Sequence, residues 1–281
     1  MTLSLTAETR IAGVVGHPVR HSLSPVIHNA WLQAAGIDAV YLAFAPREAG
    51  FEALVQGLRG QVALGLNVTI PFKERAAALA DHRTPAAERA GAANLLLFGP
   101  DGRITADNTD GVGLLAALGE AGFVPFSPVM VLGAGGAARG AVLSLLAAGV
   151  PSIRLVNRSL DRAKAMAALD GRVMALSWDE AGDALDGAAA VVNATSLGMT
   201  GQPPLVLSLD KAPASAVVMD MVYKPLTTEL LRAAQARGNP TADGLAMLIG
   251  QARPSFEAIF GQPPPDIDVR GLCERALGQG K

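Results

Sequence analysis

The sequence has little cysteine, few aromatic residues and no excess of positive charge, and each shortage excludes a class of protein. Cys273 is the only cysteine among 281 residues, which rules out an intrachain disulfide and a site built on several thiolates. Aromatic residues make up 4% of the chain, so small and aliphatic side chains must form the core, as in buried α/β sheets. The formal net charge of −2 leaves no basic excess for general binding to nucleic acid.

Long hydrophobic runs are also absent. No predominantly apolar stretch reaches the roughly 20 residues that span a bilayer, and the first residues, MTLSLTAETR, contain no apolar signal core. The histidines do not have zinc-ligand spacing, and we expect no metal. We therefore expect a cytoplasmic protein that binds neither nucleic acid nor membrane.

Short apolar runs bounded by Gly, Pro or Asn alternate along the chain with longer Ala- and Leu-rich segments, a pattern typical of βα units with parallel sheets. The predicted strands are Ile11–Val15, Val40–Ala45, Val62–Val68, Asn94–Phe98, Val129–Leu132, Ile153–Val156, Val173–Leu176, Ala189–Val192 and Ala216–Met219. The predicted helices include Pro25–Ala35, Arg47–Leu58 with a stop at Gly60, Gly136–Ala148 and Thr227–Ala236. Together these elements predict an α/β fold.

Two breaks divide this pattern. One falls near Gly111–Gly113, and the other near Asn239–Gly244. Two helical patterns follow the second break, and no further strand is predicted after it. We predict one domain from residues 1–111 plus 245–281, with a mostly parallel sheet, and a second domain from residues 112–244. Pro254 lies inside one of the last helical patterns and removes a backbone hydrogen bond, so we expect a kink or a helix boundary there.

A Gly-rich turn, VLGAGGAARG, joins a predicted strand to a predicted helix in the second domain, and the next strand completes a βαβ unit of about 30 residues. Glycines permit the tight turn and let backbone N–H groups approach a pyrophosphate at the helix N-terminus. Such a turn can also merely connect two elements, but here the strand, the helix and the spacing agree. We predict a dinucleotide site at Gly133, Ala134, Gly135, Gly136 and Ala137.

The residues after the second strand of this unit indicate which dinucleotide binds. An NAD site places Asp or Glu there to bond the ribose 2′-hydroxyl. This chain has Asn157, Arg158 and Ser159 instead, with Arg162 one helical turn after Arg158. Two guanidinium groups at that spacing suit a 2′-phosphate, although a solvated helix start is the alternative. We predict NADP.

Polar residues also follow the predicted strands of the first domain, where open α/β sheets bind ligands. Ser22 and Ser24 stand beside a helix that begins with Pro25, a position suited to a carboxylate, and Ser24 is a natural N-cap. Thr69 and Lys73 follow another strand. Each of these residues alone could be a turn or surface residue.

Taken in order, these segments resemble the shikimate dehydrogenase family over nearly the whole chain. The motifs are GHPVRHSLSPVIHN from Gly16, NVTIPFK from Asn67, GAAN from Gly91, DNTDG from Asp107, GAGGAARG from Gly133, NRS from Asn157, NATSLGM from Asn193, DMVYKP from Asp220 and GLAMLIGQ from Gly244. Several are typical of this family rather than of nucleotide folds in general.

The resemblance implies reversible, NADPH-dependent reduction of 3-dehydroshikimate to shikimate in aromatic amino acid biosynthesis. It implies a substrate-binding and catalytic domain formed by the N-terminal part and the final helices, a Rossmann-like NADP domain, and a cleft separating them. Lys73 and Asp110 are the implied catalytic pair, in which Lys73 stabilises the alkoxide and donates the proton while Asp110 orients it.

The same resemblance implies the remaining site residues. The substrate carboxylate is assigned to Ser22, Ser24 and Tyr223. The ring hydroxyls are assigned to Thr69, Asn94, Asp110 and Gln251. The cofactor residues beyond the Gly-rich turn and the arginines are Asn193, Thr195, Ser196, Met221 and Gly244. The expected partner is a small-molecule substrate, and a homodimer is a candidate assembly.

Two departures from the family pattern leave alternatives open. Leu95 stands where the family commonly has Thr, and Ala106 where it usually has Gly. The lost hydroxyl either rearranges packing or shifts the substrate to quinate or an amino-substituted shikimate.

Two further alternatives belong to other classes of protein. A related NADP enzyme such as glutamyl-tRNA reductase needs a nucleophilic cysteine in its N-terminal domain, and Cys273 cannot supply one. A non-catalytic NADP-binding regulator would have no use for the pair Lys73 and Asp110.

Overall fold

The computed structural model describes residues 5–59 and 63–278, and the chain divides into two α/β units. The first unit runs to Thr109 and resumes at Gln251, and the second extends from Asp110 to Gly250. The boundaries predicted after residues 111 and 244 thus differ from those of the structure by two and six residues. The second difference arises because that boundary lies inside a single continuous helix, Gly244–Phe260.

The first unit contains six strands and five complete helices within its described residues. In chain order they are β1 (Arg10–Val15), α1 (Ser24–Ala35), β2 (Ala39–Phe44), α2 (Phe51–Leu58), β3 (Ala63–Val68), α3 (Lys73–Leu79), β4 (His82–Arg83), α4 (Pro85–Ala90), β5 (Leu95–Phe98), β6 (Ile104–Asp107) and, from the C-terminal segment, α10 (Val269–Ala276). Val62 and Gly60, at the ends of two predicted elements, lie outside the described residues.

The sheet of the first unit has the strand order β2-β1-β3-β5-β6-β4. β1 runs parallel to β2 and β3, and β4 runs parallel to β6, whereas β5 is antiparallel to both of its neighbours. Asn67 of β3 and Asp107 of β6 both pair with Leu95 at the start of β5. The ends of β3 and β6 and the start of β5 therefore meet at one edge of the sheet.

The second unit is built as a parallel α/β sheet. Its elements are α5 (Asp110–Glu120), β7 (Val129–Leu132), α6 (Gly136–Ala147), β8 (Ile153–Val156), α7 (Leu160–Ala167), β9 (Val173–Leu176), β10 (Ala190–Asn193), β11 (Val217–Asp220), α8 (Glu229–Ala236), β12 (Thr241–Ala242) and the first part of α9 (Gly244–Phe260). Short 3₁₀ helices at Glu48–Gly50, Trp178–Glu180 and Asp183–Leu185 complete the two units.

The strand order of the second sheet is β12-β11-β10-β7-β8-β9, with every pair parallel. β7, β10 and β11 are buried along their whole length, as expected for strands covered by helices on both faces. The strand order reverses between β7 and β10, which is the crevice where doubly wound folds bind dinucleotides.

Pro254 does not end a helix. α9 continues through it, so of the two outcomes expected there, a kink or a helix boundary, the boundary is wrong. Residues on both sides of Pro254 hold the helix, since Ala252 and Phe256 are fully buried. Within the described residues, no helix is long and apolar enough to cross a membrane.

Candidate functional site

The strand ends of the first unit carry a buried cluster of amides and hydroxyls centred on Asn94. Asn94 directly precedes β5 and is 3% exposed. Its Nδ2 donates to Thr109 Oγ1 at 2.9 Å and to Gln251 Oε1 at 3.2 Å, and its Oδ1 accepts from the Thr109 amide at 2.8 Å. Gln251 lies on α9, so the cluster joins the N-terminal and C-terminal segments of this unit.

Asn67, on β3, extends this cluster into the core. Its Nδ2 donates to Ser255 Oγ at 3.0 Å and to the Asn94 carbonyl at 3.1 Å, while its Oδ1 accepts from the Tyr41 hydroxyl at 2.8 Å. Ser255 Oγ also lies 3.1 Å from Thr109 Oγ1. Two residues predicted to meet the substrate, Asn94 and Gln251, are therefore held in one interlocked network.

Ser24 takes part in the same network rather than capping its helix. The N-cap of α1 is Leu23, in a helical conformation and without a side-chain cap bond, so the expectation that Ser24 is the N-cap is wrong. The Ser24 side chain hydrogen-bonds Tyr41 instead. Ser22 Oγ accepts from the Ser24 amide at 3.3 Å, and this bond holds the first turn.

Thr69 and Lys73 follow β3 in a tight turn. The Phe72 amide donates to the Thr69 carbonyl at 3.0 Å, and Lys73 begins α3 with its side chain half-buried. The Ala93 amide donates to the Lys73 carbonyl at 2.8 Å, which brings the start of α3 beside the segment that carries Asn94. Asp110 begins α5 in the other unit and is also half-buried.

Leu95, the departure from the family pattern, is a core residue. Its side chain is fully buried on β5. Successive strand residues point to opposite faces of a sheet, so the residue after Asn94 lies on the other face. Full burial favours the interpretation that Leu95 changes packing rather than substrate contacts.

In the second unit, the predicted Gly-rich turn lies between β7 and α6. Gly133 has a φ of 109°, and a Cβ there would lie 3.0 Å from the Thr195 side chain, so this position favours glycine. Gly135, Gly136 and Ala137 are exposed at the start of α6. The first N–H groups of a helix have no intrahelical partner, so this exposed turn fits a pyrophosphate.

The two predicted 2′-phosphate arginines are exposed at the start of α7. Arg158 and Arg162 make no ion pair with any residue that the structure describes, so both charges are available to an anion. Asn157 Nδ2 donates to the Ser159 carbonyl at 2.9 Å and shapes the turn between β8 and α7. Exposed, unpaired cations beside a strand end fit a phosphate monoester better than a neutral ribose hydroxyl.

Asn193 differs from the other predicted cofactor residues because its side chain is fully buried. Its Oδ1 accepts from the Thr195 amide at 3.0 Å and from Thr195 Oγ1 at 2.7 Å, and its Nδ2 donates to Asp220 Oδ1 at 2.9 Å. Ser196, which follows Thr195 in the same loop, is exposed. Both atoms of the Asn193 amide are thus engaged within the protein.

The loop after β11 packs tightly against the start of α9. A Cβ on Gly244 would lie 2.3 Å from the Met221 carbonyl oxygen, so only glycine allows this approach. Tyr223 lies two residues after Met221 in the same loop and is half-buried, and this burial raises the pKa of its hydroxyl.

Several residues that hold the sites together were not predicted. Thr109 and Asn67 lie inside quoted motifs, and their position next to predicted site residues was the available signal. Tyr41 and Ser255 gave no such signal, because a single polar residue in an apolar strand or helix has no periodicity that identifies a partner.

No group of three or more metal-ligating side chains occurs among the described residues.

The fold and its strand-end residues define a two-unit α/β protein with a Rossmann-like dinucleotide-binding unit. Residues 14–96 match the model of the shikimate dehydrogenase substrate binding domain, and residues 122–200 match that of shikimate / quinate 5-dehydrogenase. The chain is 54% identical to the shikimate dehydrogenase (NADP(+)) of Caulobacter vibrioides, over 99% of this chain and 100% of the relative. The chain belongs to the shikimate dehydrogenase family.

Solved structures agree with this assignment. The shikimate 5-dehydrogenase of Thermus thermophilus in complex with NADP(H) and shikimate has a TM-score of 0.84 and 34% identity, covering 97% of this chain and 100% of that one. The quinate dehydrogenase of Corynebacterium glutamicum in complex with NAD has a TM-score of 0.86 and 29% identity, covering 96% of this chain and 99% of that one. Solved relatives of this fold thus include enzymes named for different substrates and in complex with different dinucleotides.

Proposed function

We propose that this protein is an NADP-dependent shikimate dehydrogenase that interconverts 3-dehydroshikimate and shikimate. Family membership over the full length carries the proposal. The exposed, unpaired Arg158 and Arg162 support NADP over NAD, and the amide–hydroxyl cluster around Asn94 supports a substrate rich in hydroxyl groups.

The protein supplies binding, orientation and one proton to the reaction. NADPH, when bound at the Gly-rich turn, supplies the hydride. Lys73 stabilises the alkoxide that develops at C3 and donates the proton to it, since an ammonium group serves both purposes. Asp110 is the second member of the catalytic pair.

Recognition of the substrate is assigned to residues that differ in chemistry. Ser22, Ser24 and Tyr223 hold the carboxylate through hydroxyl groups. Thr69, Asn94, Asp110 and Gln251 bind the ring hydroxyls. A site built to hydrogen-bond a hydroxyl discriminates strongly against analogues that lack it, because its buried polar groups are then left unpaired.

On the cofactor side, the pyrophosphate is assigned to the turn that contains Gly133, Ala134, Gly135, Gly136 and Ala137. The adenosine 2′-phosphate is assigned to Asn157, Arg158, Ser159 and Arg162. Thr195 and Ser196 flank the cofactor, with Asn193 behind them, and Met221 and Gly244 lie at the nicotinamide.

The test is a matched substrate and cofactor panel. We expect reduction of NADP, followed at 340 nm, with shikimate and much less with quinate. NAD should be a poor substitute. Equal efficiency with quinate would show that the protein is a family member with a different substrate preference, the alternative suggested by Leu95. Equal efficiency with NAD would contradict the role proposed for Arg158 and Arg162.

The setting of the reaction is also proposed. NADPH is an intracellular cofactor, so we place the protein in the cytoplasm. A homodimer is the candidate assembly, and light scattering of the purified chain distinguishes it from a monomer.

A further inference from the structure

Asp220 is a buried carboxylate at the end of β11 to which the proposed function assigns no role. It pairs directly with Asn193 on β10, and its side chain is 0% exposed. Burial raises the pKa of this carboxyl group, while the hydrogen bonds that it accepts oppose the rise. A buried carboxylate is costly unless it is well hydrogen-bonded, so its position suggests a use beyond packing.

The donors to Asp220 come from three different segments. Asn193 Nδ2 and the Val222 amide donate to Oδ1 at 2.9 and 3.0 Å, and Thr228 Oγ1 donates to Oδ2 at 2.7 Å. Asn193 precedes the loop after β10, Val222 lies in the loop after β11, and Thr228 is the N-cap of α8. One side chain therefore ties together two strand-end loops and a helix start.

Asn193 extends this connection along its own loop. While its Nδ2 donates to Asp220, the same amide also donates to the Leu197 carbonyl at 3.2 Å. Its Oδ1 accepts the two bonds from Thr195, and Thr195 Oγ1 in turn accepts from the Leu197 amide at 3.1 Å. The conformation of residues 194–199 thus depends on an asparagine that Asp220 orients.

We propose that Asp220 is a positioning residue that fixes the loops after β10 and β11, and so orients Thr195, Ser196 and Tyr223 toward cofactor and substrate. The inference rests on the proposed function for the identity of those ligands. A carboxylate suits the position because it accepts from several directions and has no donor of its own to satisfy.

The first measurement is NADPH affinity by fluorescence titration, which needs no turnover. Asp220→Ala removes all three acceptor contacts and releases both loops. We expect NADPH affinity to fall by about 10-fold and kcat/KM for shikimate to fall by about 10²-fold, as misplacement of site residues by about 1 Å can cause.

Val129→Ala is the matched control for lost stability. Val129 is also 0% exposed and lies in the same sheet, but it begins β7 and is therefore at the opposite edge from the strand-end loops. This variant should lower the melting temperature and leave the NADPH affinity and the kinetic constants unchanged.

Asp220→Asn separates geometry from charge. Its Oδ1 can still accept from Asn193 and Val222, and its amide can donate to the Thr228 hydroxyl. We expect this variant to recover most of the affinity and turnover that Asp220→Ala loses. Asp220→Ser, which is too short to reach the same donors, replaces Asp220→Ala if that protein does not fold.

Two results would overturn the proposal. If Asp220→Ala only melts earlier, as Val129→Ala does, Asp220 is merely structural. If Asp220→Asn is as impaired as Asp220→Ala, the negative charge matters and positioning is the wrong account. Should the unmodified protein bind NADPH but not oxidise shikimate, the proposed function fails, while the affinities of the variants still decide the role of Asp220.

Discussion

The amide–hydroxyl cluster of the first unit consists of buried side chains bonded to one another, whereas the residues proposed to bind the phosphates of the cofactor in the second unit are mostly exposed. Asn94 and Gln251 are 3% and 8% exposed, and Asn94 Nδ2 donates to Gln251 Oε1. Gly135, Arg158 and Arg162 are all exposed. Backbone N–H groups and cations suffice for a phosphate, but discrimination among hydroxyl groups needs directed side chains.

This difference has consequences for mutation. A change within the interlocked cluster leaves buried polar partners unsatisfied, so its effects should be large and coupled. A change among exposed cofactor residues removes one contact and leaves its neighbours intact. The predictions below test this contrast, beginning with the largest expected effect.

Lys73→Ala should lower turnover by about 10²–10⁴-fold, because the loss of a general acid and of charge stabilisation each contributes on that scale. NADPH binding, assigned to the other unit, should barely change. The control is Lys164→Ala, which changes an exposed lysine on α7.

Asp110→Asn should also impair turnover, and the double variant of Lys73 and Asp110 should be little worse than the worse single one. Near-normal turnover of folded Lys73→Ala would show that Lys73 takes no part in the chemical step.

Asn94→Ala should raise the KM for shikimate and lower stability together. It removes the acceptor of the Thr109 amide and a donor to Gln251 Oε1, at a cost of about 1–3 kcal/mol for each buried group left unsatisfied. In a double-mutant cycle, Asn94→Ala and Gln251→Ala should show a coupling energy of about 0.5–3 kcal/mol. Strict additivity would contradict the interlocked cluster.

Arg158→Ala should weaken NADPH binding by about one to two decades, which corresponds to the loss of a charge-assisted contact of roughly 1.5–3 kcal/mol. Titration of NADPH and NADH in parallel checks the cause, because NADH affinity should stay the same. The melting temperature should not change, since the side chain is exposed. A similar loss for both cofactors would assign Arg158 to some other part of the nucleotide.

The last prediction concerns stability rather than turnover or binding, and it involves His28, a buried residue of the first unit. Its ring stacks on Tyr41 with centroids 4.1 Å apart, and neither ring nitrogen has a hydrogen-bond partner within the described part of the chain. Burial lowers the pKa of His28 from 6.5 to about 3. The unfolded chain therefore binds a proton between these pH values that the folded chain does not.

The free energy of unfolding should accordingly be highest above pH 6.5 and fall as the pH drops from 6.5 toward 3. The His28 contribution is about 1.4 kcal/mol per pH unit. His28→Phe should flatten this slope in urea denaturation at several pH values, while His82→Phe, an exposed position, should not. An unchanged slope in His28→Phe would mean that the ring is protonated in the folded state.

Much of the fold could be predicted from local pattern. The strands Val129–Leu132, Ile153–Val156 and Val173–Leu176 have the predicted bounds, because buried parallel strands are short apolar runs between turn residues. Where prediction failed, a longer-range contact decided. α1 begins one residue before Pro25, and the Ser24 hydroxyl is directed to Tyr41 rather than to its own helix.

The roles assigned to the residues of the candidate site remain predictions, but the structure accounts for the positions of some of these residues. The Gly-rich turn could be located from sequence because its backbone conformation demands glycine at Gly133. The network through Tyr41 and Ser255 could not, because its members are far apart in sequence and each is an ordinary polar residue there. No local sequence pattern predicts which hydroxyl group bonds to which amide.

The sequence by itself determined the alternation of strands and helices, the dinucleotide turn and the family, because these depend on local periodicity and on motifs that are contiguous. Only the tertiary structure decided that Asn94, Thr109 and Gln251 bond to one another, and that Asp220 holds two strand-end loops. Those contacts depend on strand register and on a helix that returns from the C-terminal end of the chain, and burial makes each of them costly to leave unsatisfied.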